Sequence, residues 1–312
     1  MSVHSFDWRS PPPEECLRCA LCIGNFDGVH RGHRALIETT RKRAEQLATS
    51  AIALTFDPHP LQLLRPTSFP KPLSTIQERA ALLHKHGADQ VLVLQTDRDF
   101  LKLSAEEFFQ SMILESLQAR ALIEGHNFGF GRGRAGNIET LRSLCQQHEL
   151  SLDVVEPIEL EGETVSSSRI RRHLSQGEVE KAEKLLMRPY AFSGIVIEGE
   201  KRGASLGFPT ANLGSIPTLI PAEGVYAVRA SLEGRAFGGA MNIGSNPTFG
   251  VEQKKVEVHL IDFQGDLYGQ SMRVELLARL RGVQTFQSVE QLVQQLTNDV
   301  ERARQTISAR AE

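Results

Sequence analysis

The sequence predicts an α/β chain in two parts: an N-terminal doubly wound parallel sheet, then a small antiparallel β-barrel with a closing α-helix. Three observations carry this. Short apolar runs alternate with helical patterns in the first part, and glycine and proline punctuate short strand-like runs after Arg188-Pro189-Tyr190. The chain also ends on an amphipathic helical stripe, and its 312 residues fit two cores better than one.

In the first part, strands are expected at Leu21 to Ile23, Ala51 to Phe56, Val91 to Gln95, Ala121 to Glu124 and Leu152 to Val155. Helical spacing marks Arg34 to Ala48, Thr75 to His86, Ala105 to Leu117 and Ile138 to His148. Ligands of such sheets collect beyond the carboxyl ends of the strands, where Gly24 to His33, Asp57 to Pro60 and Gly125 to Gly133 fall. In the second part, strand-like runs are Gly194 to Ile197, Val225 to Ala230, Val256 to Ile261 and Met272 to Leu277. Ser288 can cap the last helix and Gln291 completes a capping-box pattern, with Val289, Leu292, Val293, Leu296 and Val300 as a core-packing stripe. The boundary is expected near residue 185, which gives domains 1–185 and 186–312.

A hydrophobic fraction of 40% and a charged fraction of 23% are those of a soluble globular protein. No apolar run is long enough to span a bilayer, and Met1 to Arg9 carries Asp7 and no apolar h-region. A cytoplasmic chain without a membrane partner is expected. A net charge of -3 and an aromatic content of 6% give no case for nucleic-acid binding. Cys16, Cys19 and Cys22 superficially suggest a metal or iron-sulfur site. Residues three apart on a strand point to opposite faces, however, so reduced thiols are the favoured reading.

The run Gly24-Asn25-Phe26-Asp27-Gly28-Val29-His30-Arg31-Gly32-His33 joins the first expected strand to a helix. Glycines let backbone approach a ligand, and a helix start presents N–H groups and positive dipole to an anion. His30 and His33, three residues apart, can donate to phosphate oxygens. From spacing alone, a plain strand-turn-helix corner with solvated histidines fits equally well. His59 stands between Pro58 and Pro60 on restricted backbone, which suits aiming a side chain or simply a rigid loop. Gly125-His126-Asn127-Phe128-Gly129-Phe130-Gly131 is a second glycine-rich loop, where Asn127 offers a donor and an acceptor. Ser166-Ser167-Ser168-Arg169-Ile170-Arg171 precedes a helical pattern and, by itself, reads as a cap.

In the second part, Gly207-Phe208-Pro209-Thr210-Ala211-Asn212-Leu213 puts Thr210 and Asn212 on one face of an extended segment. Their oxygens suit a hard cation such as Mg2+ beside ATP phosphates, or a polar strand face. Gly199-Glu200-Lys201-Arg202-Gly203 reads as a flexible basic loop able to cover phosphates. Val256-Glu257-Val258-His259-Leu260 alternates, so Glu257 and His259 face away from the core. Glu257 suits a general base for a kinase acting on an alcohol; a solvated strand glutamate is the plainer reading.

These strings together resemble the prokaryotic bifunctional riboflavin kinase/FAD synthetase family. The His-x-Gly-His of His30 to His33 and the Ser-Ser-Ser-Arg-Ile-Arg of Ser166 to Arg171 resemble nucleotidyltransferase signatures, and the loop after Gly125 resembles the family's Gly-x-Asp/Asn-Phe-x-Phe-Gly. Gly207 to Leu213, Pro221 to Val228, Asn242-Ile243-Gly244 with Pro247-Thr248-Phe249, and Val256 to Gly269 resemble the riboflavin kinase domain. The resemblance runs from Gly24 to about Asp299. Ser168 stands where threonine is common, and residues 1 to 18 match nothing.

The resemblance implies that the first domain transfers AMP from ATP to FMN, giving FAD and pyrophosphate, and that the second phosphorylates riboflavin with ATP. His30, His33 and Arg171 would neutralise phosphate charge, with Mg2+ sharing that load. Nucleotide or substrate binding would fall to Gly24, Asn25, Phe26, Asp27, Gly28, His59, Asn127 and Ser167 in one site. In the other it would fall to Lys201, Gly203, Phe208 and Pro209, with Thr210 and Asn212 as Mg2+ ligands and Glu257 as base. Phe208 and Phe286 are candidate flavin neighbours. Rival readings are a nucleotidyltransferase for another phosphorylated small molecule with the barrel as a flavin sensor, and a non-catalytic flavin- or nucleic-acid-binding protein. Only the kinase reading requires a carboxylate aligned with a hydroxyl.

Overall fold

The computed structural model describes residues 2–199, 202–246 and 253–310. The chain divides into two compact units, 1–70 with 74–166, and 71–73 with 167–312. The second unit therefore starts ahead of the 186 expected from the texture of the sequence. The reason is packing: α6 (Ser167–Ser175) lies against α7 (Val179–Leu186), and α7 packs on the barrel strands Tyr190–Ile197 and Ser271–Arg281.

The first unit is a six-stranded, wholly parallel sheet. Its strands are β1 (Ser2–Phe6), β2 (Ala20–Ile23), β3 (Ala51–Asp57), β4 (Gln90–Gln95), β5 (Ala121–Gly125) and β6 (Ser151–Val155), in the order β1-β4-β3-β2-β5-β6. Alternation along the buried strands splits the core in two. Leu21, Ile23, Ile52, Leu54, Leu92 and Leu94 face one side with Phe100, Phe108 and Met112; Cys22, Ala53, Val91 and Val93 face the other with Leu36, Ile37 and Leu83. Helices α1 (Arg31–Leu47), α2 (Pro60–Leu64), α3 (Ile76–Lys85), α4 (Ala105–Phe108) and α5 (Ile138–Gln147) follow the strands. The expected helix from Ala105 is α-helical only to Phe108 and continues as a π-helix over Phe109–Ser116. β7 (Glu159–Leu160) and β8 (Glu163–Thr164) form a short hairpin.

β1 is the strand that sequence reasoning left unassigned. Val3 is 51% exposed while Phe6 is buried, so β1 lacks the continuous apolar run of a central strand and lies at the sheet edge beside β4. The cysteines are where the pleat puts them: Cys16, Cys19 and Cys145 belong to one face and Cys22 to the other. All four are buried free thiols, and burial pushes Cys16 and Cys19 up to about 12. Among the described residues, no group of three metal-ligating side chains occurs.

The second unit is a closed barrel of β9 (Tyr190–Ile197), β10 (Ala211–Gly214), β11 (Gly224–Leu232), β12 (Arg235–Asn246), β13 (Gln253–Leu260) and β14 (Ser271–Arg281). The order β10-β13-β12-β11-β14-β9 closes through an antiparallel β9–β10 pair. Tyr190, Phe192, Val196, Tyr226, Val228, Met241, Ile243, Val256, Val258, Met272 and Val274 are all buried on alternate positions of their strands. Short α8 (Arg202–Ser205) precedes β10, and α9 (Val289–Ala309) ends the unit. Ser288 caps α9 through the Gln291 N–H, but the Gln291 side chain reaches the Gln287 N–H, so the capping box is only half formed. Ala303 and Asp299 are the buried residues of α9, and Ile307 packs on Val225, Ala227, Leu277 and Leu280 of the barrel; Val289 of the expected stripe is 58% exposed.

Candidate active site

In the first unit, the segment between β2 and α1 is bent sharply inward. Phe26, Gly28 and Val29 have φ of 47°, 81° and 39°. A β-branched residue in the left-handed region costs free energy and persists only where surrounding contacts impose it. Those contacts are visible. Asp27 is 4% exposed, and its Oδ1 accepts from the Ser74 N–H at 3.1 Å and from Arg79 Nη2 at 3.4 Å. The Gly28 N–H donates to Ser74 Oγ, and Arg79 Nη1 donates to Thr55 Oγ1, which in turn donates to the Asn25 carbonyl. Phe26 is fully buried, with its ring edge-on to His33 at 5.3 Å and against Gly24, where a Cβ would meet it at 3.1 Å. The side chains of Phe26 and Asp27 thus shape the loop from within, and what the loop offers to a ligand is backbone.

His30 and His33 cap α1 reciprocally. His30 Nδ1 accepts from the His33 N–H and His33 Nδ1 accepts from the His30 N–H, both at 3.4 Å. An imidazole whose Nδ1 accepts carries its proton on Nε2, so each ring presents an Nε2–H donor. The rings stack at 3.6 Å with 16° between planes, which aims both the same way at a helix N-terminus. The arrangement lies at the carboxyl end of a parallel sheet, beside the β2/β5 point where the strand order reverses, and its chemistry suits an anion. At this point the backbone pairing of β2 with β5 ends at Leu21↔Leu122, and the Ile23 N–H donates to the Glu124 carboxyl instead, at 2.9 Å.

His59 caps α2, its Nδ1 accepting from the Leu61 N–H at 3.0 Å, and its ring lies 4.9 Å from that of Phe69. Asn127 is exposed on the loop after β5, where its carbonyl accepts from Arg134. Ser167 and Arg171 belong to α6 in the second compact unit. Of the three neighbouring arginines, Arg169 is the buried one, Arg172 is exposed, and Arg171 is half-buried with Nε donating to the Lys71 carbonyl at 3.1 Å.

In the second unit the barrel register brings the chemistry together. Asn212 of β10 stands directly opposite Glu257 of β13. Asn212 is 8% exposed, and its Oδ1 is buried with no hydrogen-bond partner among the described residues. An orphaned amide oxygen is costly, so it fits a ligand that the chain alone does not supply. Gly199 makes room for that amide: a Cβ there would fall 2.1 Å from Asn212 Nδ2. Thr210 is exposed two residues earlier, below Gly203, whose Cβ would meet the Phe208 carbonyl at 2.4 Å. His259 Nδ1 donates to the Pro209 carbonyl at 2.9 Å and its ring meets Phe208 edge-on at 5.6 Å, so the Phe208-Pro209 segment is tied across β13. Glu257 is half-buried, its Oε1 3.0 Å from Lys255 Nζ. These groups lie on the outside of the barrel, because Val256, Val258 and Leu260 fill its inside. Phe286 is placed instead over the Arg281 guanidinium, 5.8 Å away. Lys201 and the string Pro247-Thr248-Phe249 lie outside the described residues.

Sequence reasoning missed Ser74, Arg79 and Lys255. A signal for Arg79 existed: it occupies an inward position on α3, beside Ala80 and Leu83, where an unsupported charge is costly.

Comparison with known proteins gives the same division of labour. A family model for FAD synthetase matches residues 13–169, and one for riboflavin kinase matches residues 186–307. The bifunctional riboflavin kinase/FMN adenylyltransferase of Escherichia coli (strain K12) is 35% identical over 95% of this chain and 94% of its own length. The protein of the same name from Bacillus subtilis (strain 168) is 34% identical over 93% of each chain. A crystal structure from Streptococcus pneumoniae, described as a macrolide-efflux protein, has a TM-score of 0.88 at 30% identity over 97% of this chain and 98% of that one. Among the described residues, no helix is long and apolar enough to cross a membrane. With both family models matched in order and relatives aligned nearly end to end, the chain belongs to the bifunctional riboflavin kinase/FMN adenylyltransferase family.

Proposed function

We propose that the barrel unit phosphorylates riboflavin with ATP using Glu257 as base, and that the sheet unit adenylylates the FMN product using His30 and His33 as phosphate donors. Both activities follow from the family; the residue roles are our reading of the geometry. The observation that carries it is the Asn212–Glu257 register pair, which sets a buried oxygen with no partner among the described residues beside a carboxylate.

In the kinase step, the primary hydroxyl of riboflavin gives its proton to Glu257 as its oxygen attacks the γ-phosphorus of ATP. The bond to the β-phosphate oxygen breaks and ADP leaves. Lys255 holds one oxygen of Glu257, which leaves the other to meet the hydroxyl. Thr210 and Asn212 would hold Mg2+, and that ion supplies charge neutralisation on the phosphates when bound. The donor set fits, being neutral oxygens of which one is orphaned. Lys201, Gly203, Phe208 and Pro209 are assigned to the nucleotide or flavin by resemblance.

In the adenylyl step, a phosphate oxygen of FMN attacks the α-phosphorus of ATP and pyrophosphate departs. No protein nucleophile and no proton transfer are required, so catalysis is positioning plus charge stabilisation. His30 and His33 supply two Nε2–H donors, and Gly24, Asn25 and Gly28 supply close backbone. His59, Asn127, Ser167 and Arg171 carry nucleotide-binding roles by resemblance alone. The four buried free thiols support a cytoplasmic location.

The test is incubation of purified chain with riboflavin, ATP and Mg2+, then chromatographic separation of flavins, with FMN and FAD both expected. Glu257→Ala is expected to stop FMN formation while supplied FMN still becomes FAD. His30→Ala is expected to do the reverse. If either variant, still folded, lost both steps, assignment of the residues to separate reactions would be wrong.

A further inference from the structure

One outward-facing row crosses the barrel strand by strand. Ile197 pairs with Asn212, Asn212 with Glu257, Glu257 with Asn242, and Asn242 with Val225. Directly opposed residues of antiparallel strands put their side chains on one face, with Cβ atoms roughly 4.5–5.5 Å apart. Glu257 is therefore flanked by an amide on each side. Asn212 has a role above, whereas Asn242 has none.

Asn242 stands where cover over the barrel ends. Its chain neighbours Met241 and Ile243 are 0% exposed inside the barrel. The preceding outward positions lie under α9: a Cβ on Gly238 would meet Ile307 at 2.8 Å, and Ala240 packs against the α9 cluster. Asn242 itself is exposed. The next outward position is Gly244, opposite Lys255, so β12 itself brings no side chain to the face beside Asn242 in that direction. Lys255 meanwhile holds Glu257 Oε1. The result is a carboxylate acceptor, an amide with donor and acceptor, and a strip beside them where β12 carries only glycine. A chain of hydroxyl groups, each both donor and acceptor, is the chemistry that such a strip recognises.

We infer that Asn242 binds a secondary hydroxyl of the polyol chain of the acceptor alcohol, and so selects which flavins reach Glu257 for phosphorylation. The inference rests on the kinase reading of the barrel unit. It involves no covalent step.

The test compares two acceptors in the full-length chain: riboflavin, and the flavin in which an unbranched hydroxypentyl chain keeps the terminal alcohol but lacks the secondary hydroxyls. Asn242→Ala is expected to raise the KM for riboflavin roughly fivefold to tenfold, as for one lost hydrogen bond. It is expected to leave the KM for ATP, and that for the hydroxypentyl flavin, unchanged. Thermal melting checks the fold; if the alanine variant melts early, Asn242→Ser carries the same comparison. Equal weakening of both acceptors would assign Asn242 a structural role and overturn the inference, as would an unchanged KM for riboflavin. Wild-type chain that makes no FMN at all would instead overturn the kinase reading, so the two failures are distinct.

Discussion

Asp27 and Arg79 form an ion pair inside the first unit, Oδ1 to Nη2 at 3.4 Å, with each side chain only 5% exposed. Removing one partner of such a pair strands the other charge, at a cost of about 3 kcal/mol. Asp27→Ala is therefore expected to lower the melting temperature and to slow FMN adenylylation, because the backbone from Asn25 to Val29 loses its brace. Asp27→Asn keeps an acceptor for the Ser74 N–H and should retain more of both. Riboflavin phosphorylation, measured in the same preparations, should be unchanged.

Gly199 is a steric requirement for the Asn212 amide. With a Cβ 2.1 Å from Asn212 Nδ2, Gly199→Ala must displace that amide or its own backbone. Displacing a ligand-positioning group by about 1 Å costs on the order of a hundredfold in rate. The expected outcome is a loss of kcat/KM of that order for riboflavin phosphorylation, with adenylylation of supplied FMN intact. A normal kinase rate in this variant would argue against Asn212 as a site residue.

Glu124 gives a pH dependence. Burial holds its carboxyl well above the ordinary range, with the Ile23 N–H pulling weakly the other way. The folded chain thus keeps a proton that the unfolded chain releases once pH exceeds the ordinary carboxylate pKa. Over that interval the native state binds more protons, so the stability linked to this group is complete below the unfolded pKa and is lost as pH rises through the folded one. Glu124→Gln, neutral at every pH and still able to accept from Ile23, should remove that slope. Melting of both chains from about pH 5 to about pH 8 is expected to show the variant gaining on wild type as pH rises.

Asp299 anchors α9. Both of its oxygens accept from the Arg281 guanidinium, Nε at 3.0 Å and Nη2 at 2.8 Å to Oδ2, and its side chain is 2% exposed. Asp299→Ala should destabilise the second unit by about 3 kcal/mol. Calorimetry that resolves the unfolding of the two units should place the loss in the barrel transition.

Much of this was legible in the sequence, because the periodicities are strong and local. Five of the six strands of the sheet, β2 to β6, appear as apolar runs, and the alternation around Glu257 gives its face correctly. Other features depend on contacts between distant segments. β1 alternates weakly because an edge strand has only part of its surface buried, so Ser2 to Phe6 gives little signal. β10 is four residues long, too short for a period, and is fixed by pairing with β9 and β13. Arg79 stabilises a loop about fifty positions away in sequence, and no spacing rule reports such a contact. For Asp27 the motif marked the right segment, but only the fold shows the carboxylate turned inward.

His30 and His33 use Nδ1 to start a helix, and in the proposed adenylyl step the same rings would use Nε2 as phosphate donors. On that proposal structure and function share the same two rings, and a mutational scan that scores abundance and activity separately is expected to find them entangled at these positions. His30→Asn can disentangle them, because an asparagine oxygen is a good N-cap acceptor but brings no donor to the Nε2 position. Any attempt to harden this enzyme by redesigning the start of α1 has to leave two of its most strongly coupled residues alone.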